Sequence, residues 1–206
     1  LISKGTIETD WIHSTDADVY LPPDYFDLPR LDIKDAAVIH SFQHRFSPKL
    51  ELASRLYDIA MHYYVLGLRW AGSRNSHHSI GSTLSISARH YARVRGFPRR
   101  NAGEDFYLLN KLAKSGRVST VGYFDVPSAQ AGSVILIDAR LSDRAPFGTG
   151  VALQTIAGLT APIAQYLYYD PRIFDELRTF IQQLDEAQQT GQLFNSPMAD
   201  CFVNSP

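Results

Sequence analysis

The sequence is poor in the features that would assign it to a specialised protein class. It has one cysteine, Cys201, which excludes a disulfide within the chain and a zinc site built from cysteines. Its formal net charge is −1, so no surplus of basic residues favours a nucleic-acid partner. A chain with so little cysteine fits a reducing compartment, and we expect a cytoplasmic location.

Long hydrophobic runs are also missing. The most apolar window, residues 151–169, is interrupted by Gln154, Pro162 and Gln165, so it does not resemble a membrane span. No secretory signal pattern opens the chain. Peripheral association with the inner face of a membrane stays open as an alternative, and the sequence favours no oligomeric state.

What the chain does contain is ordinary globular composition. Of its 206 residues, 45% are hydrophobic and 20% are charged, which is enough apolar material for a core of normal size. Strand-like segments alternate with helical ones, which predicts an α/β fold with a mixed sheet flanked by helices. We expect strands at 9–18, 36–46, 82–87, 117–123 and 133–137, and helices at 47–70, 88–94, 104–114, 150–158, 161–169 and 171–189.

The first motif with chemical content lies at residues 12–19, I-H-S-T-D-A-D-V. It reads as an apolar strand that ends in two aspartates. Because side chains alternate along a strand, Asp16 and Asp18 would leave on the same side. Two such carboxylates suit Mg²⁺ or Mn²⁺. The alternative is a pair of solvated aspartates that open a loop before Pro22.

The second motif is an acidic pair at the start of a predicted helix. Phe106, Leu109, Leu112 and Ala113 have helical spacing, which puts Glu104 and Asp105 in the first turn. Acidic residues there interact favourably with the helix dipole, which is one explanation. The other is that one carboxylate faces a cleft and acts as a general base.

The two motifs occur in an order that resembles the family-2 glycosyltransferases of the GT-A fold. The match runs through T-D-A-D-V at 15–19, S-T-L-S-I-S-A-R at 82–89, R-G-F-P at 95–98 and A-G-E-D-F-Y-L-L-N-K-L at 102–112, and covers roughly residues 5–120. The resemblance implies that Asp16 and Asp18 bind a nucleotide-sugar donor and its Mn²⁺ or Mg²⁺ ion. It also implies that Asp105 is the catalytic base, with Glu104 beside it, for an inverting transfer to a carbohydrate or lipid-linked acceptor.

The family places a nucleotide-binding βαβαβ half before the D-x-D strand, and no such segment precedes Asp16 here. We therefore expect a fragment that corresponds to the C-terminal part of a GT-A fold; the alternative is that the missing half is supplied elsewhere. Its predicted parts are a catalytic portion at 1–147 and a helical C-terminal extension at 148–206 packed on the same domain.

Two further groups of residues are candidate ligand contacts. Arg140 and Arg144 lie in the loop at 138–150, and arginine binds phosphate oxygens in a bidentate manner. In the family a loop after the E-D helix closes over the donor diphosphate; the alternative is local Arg–Asp pairing at the surface. His77, His78, Ser79 and Ser82 are candidate acceptor or cleft contacts. His40 and His44 would stand too far apart on one strand to share a metal ion.

Two other functions remain as alternatives. A nucleotidyltransferase shares the nucleotide-binding architecture but needs a glycine-rich phosphate loop with a lysine. A non-catalytic GT-A remnant would bind a partner or a glycan without turnover.

Overall fold

The computed structural model describes residues 9–26, 34–121, 134–142 and 148–191. These residues form an α/β fold with two mixed sheets flanked by helices, which confirms the predicted fold class at that level. The strands are β1 (Trp11–Ser14), β2 (Val19–Tyr20), β3 (Asp35–His40), β4 (Phe42–Arg45), β5 (Leu84–Ser87), β6 (Arg117–Val121) and β7 (Ile135–Asp138). The helices are α1 (Glu51–Trp70), α2 (Ala88–Arg93), α3 (Glu104–Ala113), α4 (Thr149–Ala157), α5 (Pro162–Gln165) and α6 (Arg172–Thr190).

The larger sheet has the order β1-β5-β3-β6, and its strands β3 and β5 contribute to the main hydrophobic core. Strands β1 and β3 are both antiparallel to β5, and β6 is parallel to β3, so β1, β3 and β6 end at the same edge. Every residue of β3 is buried. Helix α3 contributes Leu108, Leu109 and Leu112 to this core, and all three are fully buried.

The smaller sheet has the order β2-β7-β4, and β4 continues directly from β3. The predicted single strand at 36–46 is therefore wrong: it is two strands in two sheets, separated by Ser41. The Ser41 amide donates to the Val121 carbonyl on one side, while its own carbonyl accepts from the Ile135 amide on the other. These two hydrogen bonds join Ser41 to residues far away in sequence, at the point where the chain passes from one sheet to the other. The alternation of polar and apolar residues along 36–46 does not reveal them.

The first strand is shorter than predicted. β1 ends at Ser14, which pairs with Leu84, and residues Gly81–Thr83 form a 3-10 turn that offers no further ladder. Asp16 and Asp18 consequently lie in the connection from β1 to β2 rather than on a strand. The alternation argument that placed them on one side does not apply.

The helices were predicted more accurately, with two corrections. Phe106 was expected on the inner face of α3, but it is 49% exposed, and Leu108 is buried in its place because the sheet contacts that side. The helix predicted at 161–169 is reduced to α5. The Gln165 side chain there accepts the Ala161 amide, and Tyr166 is already extended.

The chain divides into two compact units, Leu1–Ile59 with His77–Tyr166, and Ala60–Ser76 with Leu167–Pro206. The boundary predicted between 147 and 148 falls inside the first unit. The second unit has its own aromatic packing, in which the Phe174 ring lies 5.6 Å from that of Tyr63. No helix in the described residues is both long and apolar enough to cross a membrane.

Candidate functional site

A polar cleft of about 610 Å³ opens in the first unit, where the smaller sheet meets the start of α4. Its walls come from the connection after β1, from β4, from the turn before β5, from β7 with the segment after it, and from α4. The lining residues are Asp16, Asp18, His44, Ile80, Ser82, Ile137, Asp138, Arg140, Leu141, Ser142, Thr149, Gly150 and Val151.

Three of the predicted donor-binding residues share this cleft. Val19 pairs with Ile137 in the β2-β7 ladder, so the residues just before Val19 face those just after Ile137. This pairing brings Asp18 to Arg140, whose Nη2 forms an ion pair with the Asp18 Oδ2. Asp16 lines the same cleft. The fourth predicted donor residue, Arg144, lies outside the described residues.

The Asp18–Arg140 ion pair is exposed, with 42% of the aspartate and 61% of the arginine side chain accessible. Exposed pairs contribute about 0–1 kcal/mol because water already solvates both charges. A bound cation or phosphate could therefore replace the pair at low energetic cost. A cation could then bind the Asp18 carboxylate, and a phosphate could bind the Arg140 guanidinium.

Of the predicted acceptor-side residues, Ser82 lines the cleft and is 3% exposed. His77, His78 and Ser79 belong to the preceding loop and are not part of the cleft wall. The His78 ring packs edge-on against Phe42, with 5.1 Å between ring centroids. Burial lowers the pKa of His77, so this imidazole is held in its neutral form at neutral pH.

Asp105 is not one of the residues that line the cleft, but it lies next to the Gly81–Thr83 turn. A side-chain atom placed on Gly81 would lie 3.6 Å from the Asp105 Cβ, and Gly81 stands between the lining residues Ile80 and Ser82. The Phe106 amide donates to the Asp105 Oδ1 at 2.7 Å. Burial, and to a lesser extent the neighbouring charge of Glu104, raises the pKa of Asp105. Glu104 itself is exposed at the start of α3.

The structure adds a histidine–aspartate pair that the sequence reasoning missed. His44 Nδ1 lies 2.5 Å from Asp58 Oδ1, and the His44 side chain is 1% exposed. His44 comes from β4 and Asp58 from α1, so the pair forms only when helix and sheet pack together. The strand pattern had identified His44, but no local signal connects it to Asp58.

The Mg²⁺ or Mn²⁺ ion expected from the sequence stays a prediction, for which Asp16 and Asp18, in the connection between β1 and β2, each bring one carboxylate to the cleft. Such ions use one or two protein carboxylates and take their other ligands from water and phosphate oxygens. Within the described ranges, no group of three or more His, Cys, Asp or Glu side chains is arranged to hold a metal ion. Asp16 and Asp18 would thus be the protein's contribution, and a phosphorylated ligand would supply the rest.

Comparison with known proteins assigns the chain to no family. No protein-family model matches the chain, and no curated protein or solved structure matches it. The functional conclusion therefore depends on the residues of the cleft.

Proposed function

We propose that this chain carries the catalytic cleft of a GT-A glycosyltransferase that moves a sugar from a nucleotide-diphosphate donor to an acceptor hydroxyl, with inversion. One observation carries the proposal. Asp16, Asp18 and Arg140 line one cleft, and Asp105 lies against the turn that forms its wall. A carboxylate pair, a guanidinium and a half-buried carboxylate are the groups that a diphosphate leaving group and an attacking hydroxyl require.

The donor end of the cleft would bind the diphosphate. A divalent ion held by Asp16 and Asp18 supplies charge neutralisation for the leaving diphosphate when it is bound. Arg140 would exchange the Asp18 carboxylate for a phosphate oxygen, which its planar guanidinium binds through two parallel hydrogen bonds. The exposed ion pair makes that exchange inexpensive.

Asp105 would take the proton of the acceptor hydroxyl. As that proton moves to the carboxylate, the hydroxyl oxygen forms a bond to the anomeric carbon, and the bond from that carbon to the diphosphate oxygen breaks on the opposite face. A raised pKa brings a carboxyl closer to the operating pH, which makes it a better base. Glu104 contributes its negative charge to that shift.

His44 would act as a positioning residue at the donor end. Its Nδ1 donates to Asp58, which fixes the ring and leaves Nε2 as the atom available to a ligand. Since His44 lines the cleft with Asp16 and Asp18, a phosphate or ribose oxygen is a suitable partner. Replacing Asp58 by Asn should weaken donor binding without removing the proton acceptor, Asp105.

The proposal is tested by measuring release of nucleoside diphosphate from a panel of nucleotide sugars with Mn²⁺ and sugar acceptors. We expect Asp105→Asn to lower transfer by a factor of about 100 or more, because general bases contribute on that order. Donor binding should stay near the wild-type level in this variant. Undiminished turnover by Asp105→Asn would remove Asp105 from the role of base.

A non-catalytic binding module is the second candidate, and one observation favours it. The Asp18 carboxylate is already paired with Arg140, as in a site that no longer recruits a metal ion. A binding module would retain a nucleotide sugar or glycan without releasing nucleoside diphosphate. The same assay separates the two functions, because only the enzyme gives product that depends on Asp105.

A further inference from the structure

A second pocket lies in the first unit, at the opposite edge of the larger sheet from the cleft. Its volume is about 520 Å³, and it lies where β3 and β6 begin. Asp16, in contrast, lies two residues after the end of β1, and β1 runs in the same direction as β3. Its charged and polar lining is Lys34, Arg89, His90, Arg93, Ser115 and Arg117.

The charge of this basic pocket is strongly one-sided. Four of its lining side chains are cationic and none is acidic, although the whole chain has a formal net charge of −1. The carboxylate of Asp35 accepts two hydrogen bonds from the Arg117 guanidinium, at 2.5 and 3.1 Å. The Asp35 side chain is fully buried and fixes the position of the Arg117 guanidinium, whose side chain is exposed and lines the pocket.

Two arginines give the pocket an uncompensated charge. Arg89 and Arg93 are four residues apart on α2, so their side chains lie on the same helix face and repel each other. Neither has a carboxylate partner in the described part of the chain. An anion between them would convert the repulsion into two attractions.

One explanation for the cations would be that they bind carbonyl groups left without partners at the C-terminal end of α3, but the Leu112 carbonyl there already has partners. The Leu112 carbonyl accepts the amides of Ser115 and Gly116 and the Ser115 hydroxyl, at 2.8, 3.0 and 2.9 Å. A carbonyl satisfied in this way needs no arginine. The Ser115 hydroxyl also lies 3.0 Å from His90 Nδ1, which fixes a buried imidazole at the floor of the pocket.

We propose that the basic pocket binds the phosphate group of an anionic ligand. Arginine forks bind phosphate oxygens bidentately, and Arg89, Arg93 and Arg117 converge on one space with Lys34. The phosphate can belong to a soluble diphosphate or to the headgroup of an anionic lipid. This inference does not depend on glycosyl transfer.

The first experimental arm titrates the full chain calorimetrically with sodium pyrophosphate, at low ionic strength and with EDTA present. Without a divalent ion the aspartates of the cleft repel the ligand, so binding reports on the basic pocket. We expect saturable binding that weakens about tenfold or more when Arg89 or Arg93 is replaced by Gln. The double variant Lys49→Gln/Arg74→Gln removes two exposed positive charges elsewhere and should bind as the wild type does.

The second arm sediments the same proteins with phosphatidylcholine vesicles, with and without phosphatidic acid. Binding only to vesicles that contain phosphatidic acid, lost in Arg89→Gln/Arg93→Gln and kept in the control, identifies a lipid headgroup. Pyrophosphate binding with no vesicle binding identifies a soluble ligand. The proposal is overturned if neither arm shows binding, or if the control loses as much as the pocket variants.

Discussion

At the scale of single residues, the partly buried carboxylate of Asp105 lowers the stability of the fold at neutral pH. Its proposed role as a base explains why a carboxylate lies there. Its pKa is raised mainly by burial, so the folded state favours the protonated form more than the unfolded state does. The stability this group contributes is therefore present at low pH and is lost as the pH rises through the raised pKa. A catalytic base in such a place trades stability for reactivity.

Asp105→Asn should consequently melt at the same or a higher temperature than the wild type at neutral pH, while losing transfer. The amide oxygen can still accept the Phe106 amide, and no buried charge remains. The gap in melting temperature should narrow as the pH falls, because the wild-type carboxyl becomes neutral. A variant that melts well below the wild type at neutral pH would show that the charge of Asp105 supports the fold.

His40 makes a second prediction at this scale. Its Nε2 lies 2.7 Å from the Ser85 hydroxyl, which also lies 2.8 Å from His13 Nδ1. Burial, with a smaller effect of His13, lowers the pKa of His40 from 6.5 to about 4. For a lowered histidine pKa, stability is present above the unfolded pKa and is lost as the pH falls toward the folded one.

Between pH 6.5 and 4 the free energy of unfolding should therefore fall by up to about 3 kcal/mol from His40 alone. Denaturant titrations of the wild type and of His40→Gln over this range isolate the effect, since a glutamine amide can still reach Ser85 but does not titrate. Parallel pH profiles for the two proteins would rule out His40 as the source.

At the scale of elements, segments with strong local patterns were predictable. The apolar spacing in α3 and the serine–proline start before α1 identified both helices within a few residues. The break at Ser41 was not predictable, because it depends on hydrogen bonds to Val121 and Ile135, which are far away in sequence. The burial of Leu108 instead of Phe106 likewise depends on which side of the helix meets the sheet.

The candidate site was likewise predictable from the sequence only in part. Its residue types were visible in the sequence, but the meeting of Asp18 with Arg140 follows from the β2-β7 pairing and not from either motif. The expected strand geometry at Asp16 and Asp18 was wrong, yet both residues line the cleft. Asp58 carried no sequence signal, because its contact with His44 requires α1 to be packed on β4.

Helix packing in the second unit gives a prediction at the element scale. Gly67 of α1 lies against the Phe174 ring of α6, and a methyl group added at Gly67 would overlap that ring. Gly67→Ala should therefore destabilise the protein by about 1–3 kcal/mol, as overpacking does, measured by denaturant unfolding. Phe174→Leu in the same chain should recover part of the loss. Unchanged stability of Gly67→Ala would mean that the helices separate there without cost.

At the scale of the whole molecule, the charges of a nearly neutral chain are unevenly distributed. The cleft joins carboxylates to Arg140, while cations gather in the basic pocket at the other edge of the sheet. Metal-assisted diphosphate binding at the cleft would require a divalent ion, because Asp16 and Asp18 otherwise repel phosphate. Phosphate binding at the basic pocket would not. Ligand binding at the cleft should therefore depend on the concentration of Mn²⁺, whereas ligand binding at the basic pocket should not.

Calorimetric titration of the chain with a panel of nucleotide sugars, with and without Mn²⁺, decides whether the cleft is a donor site. We expect saturable binding that appears with Mn²⁺, is lost in Asp18→Ala and is weakened in Arg140→Gln, while Arg89→Gln/Arg93→Gln retains it. No Mn²⁺-dependent binding, or binding that Asp18→Ala leaves unchanged, would contradict the assignment of the cleft as a donor site.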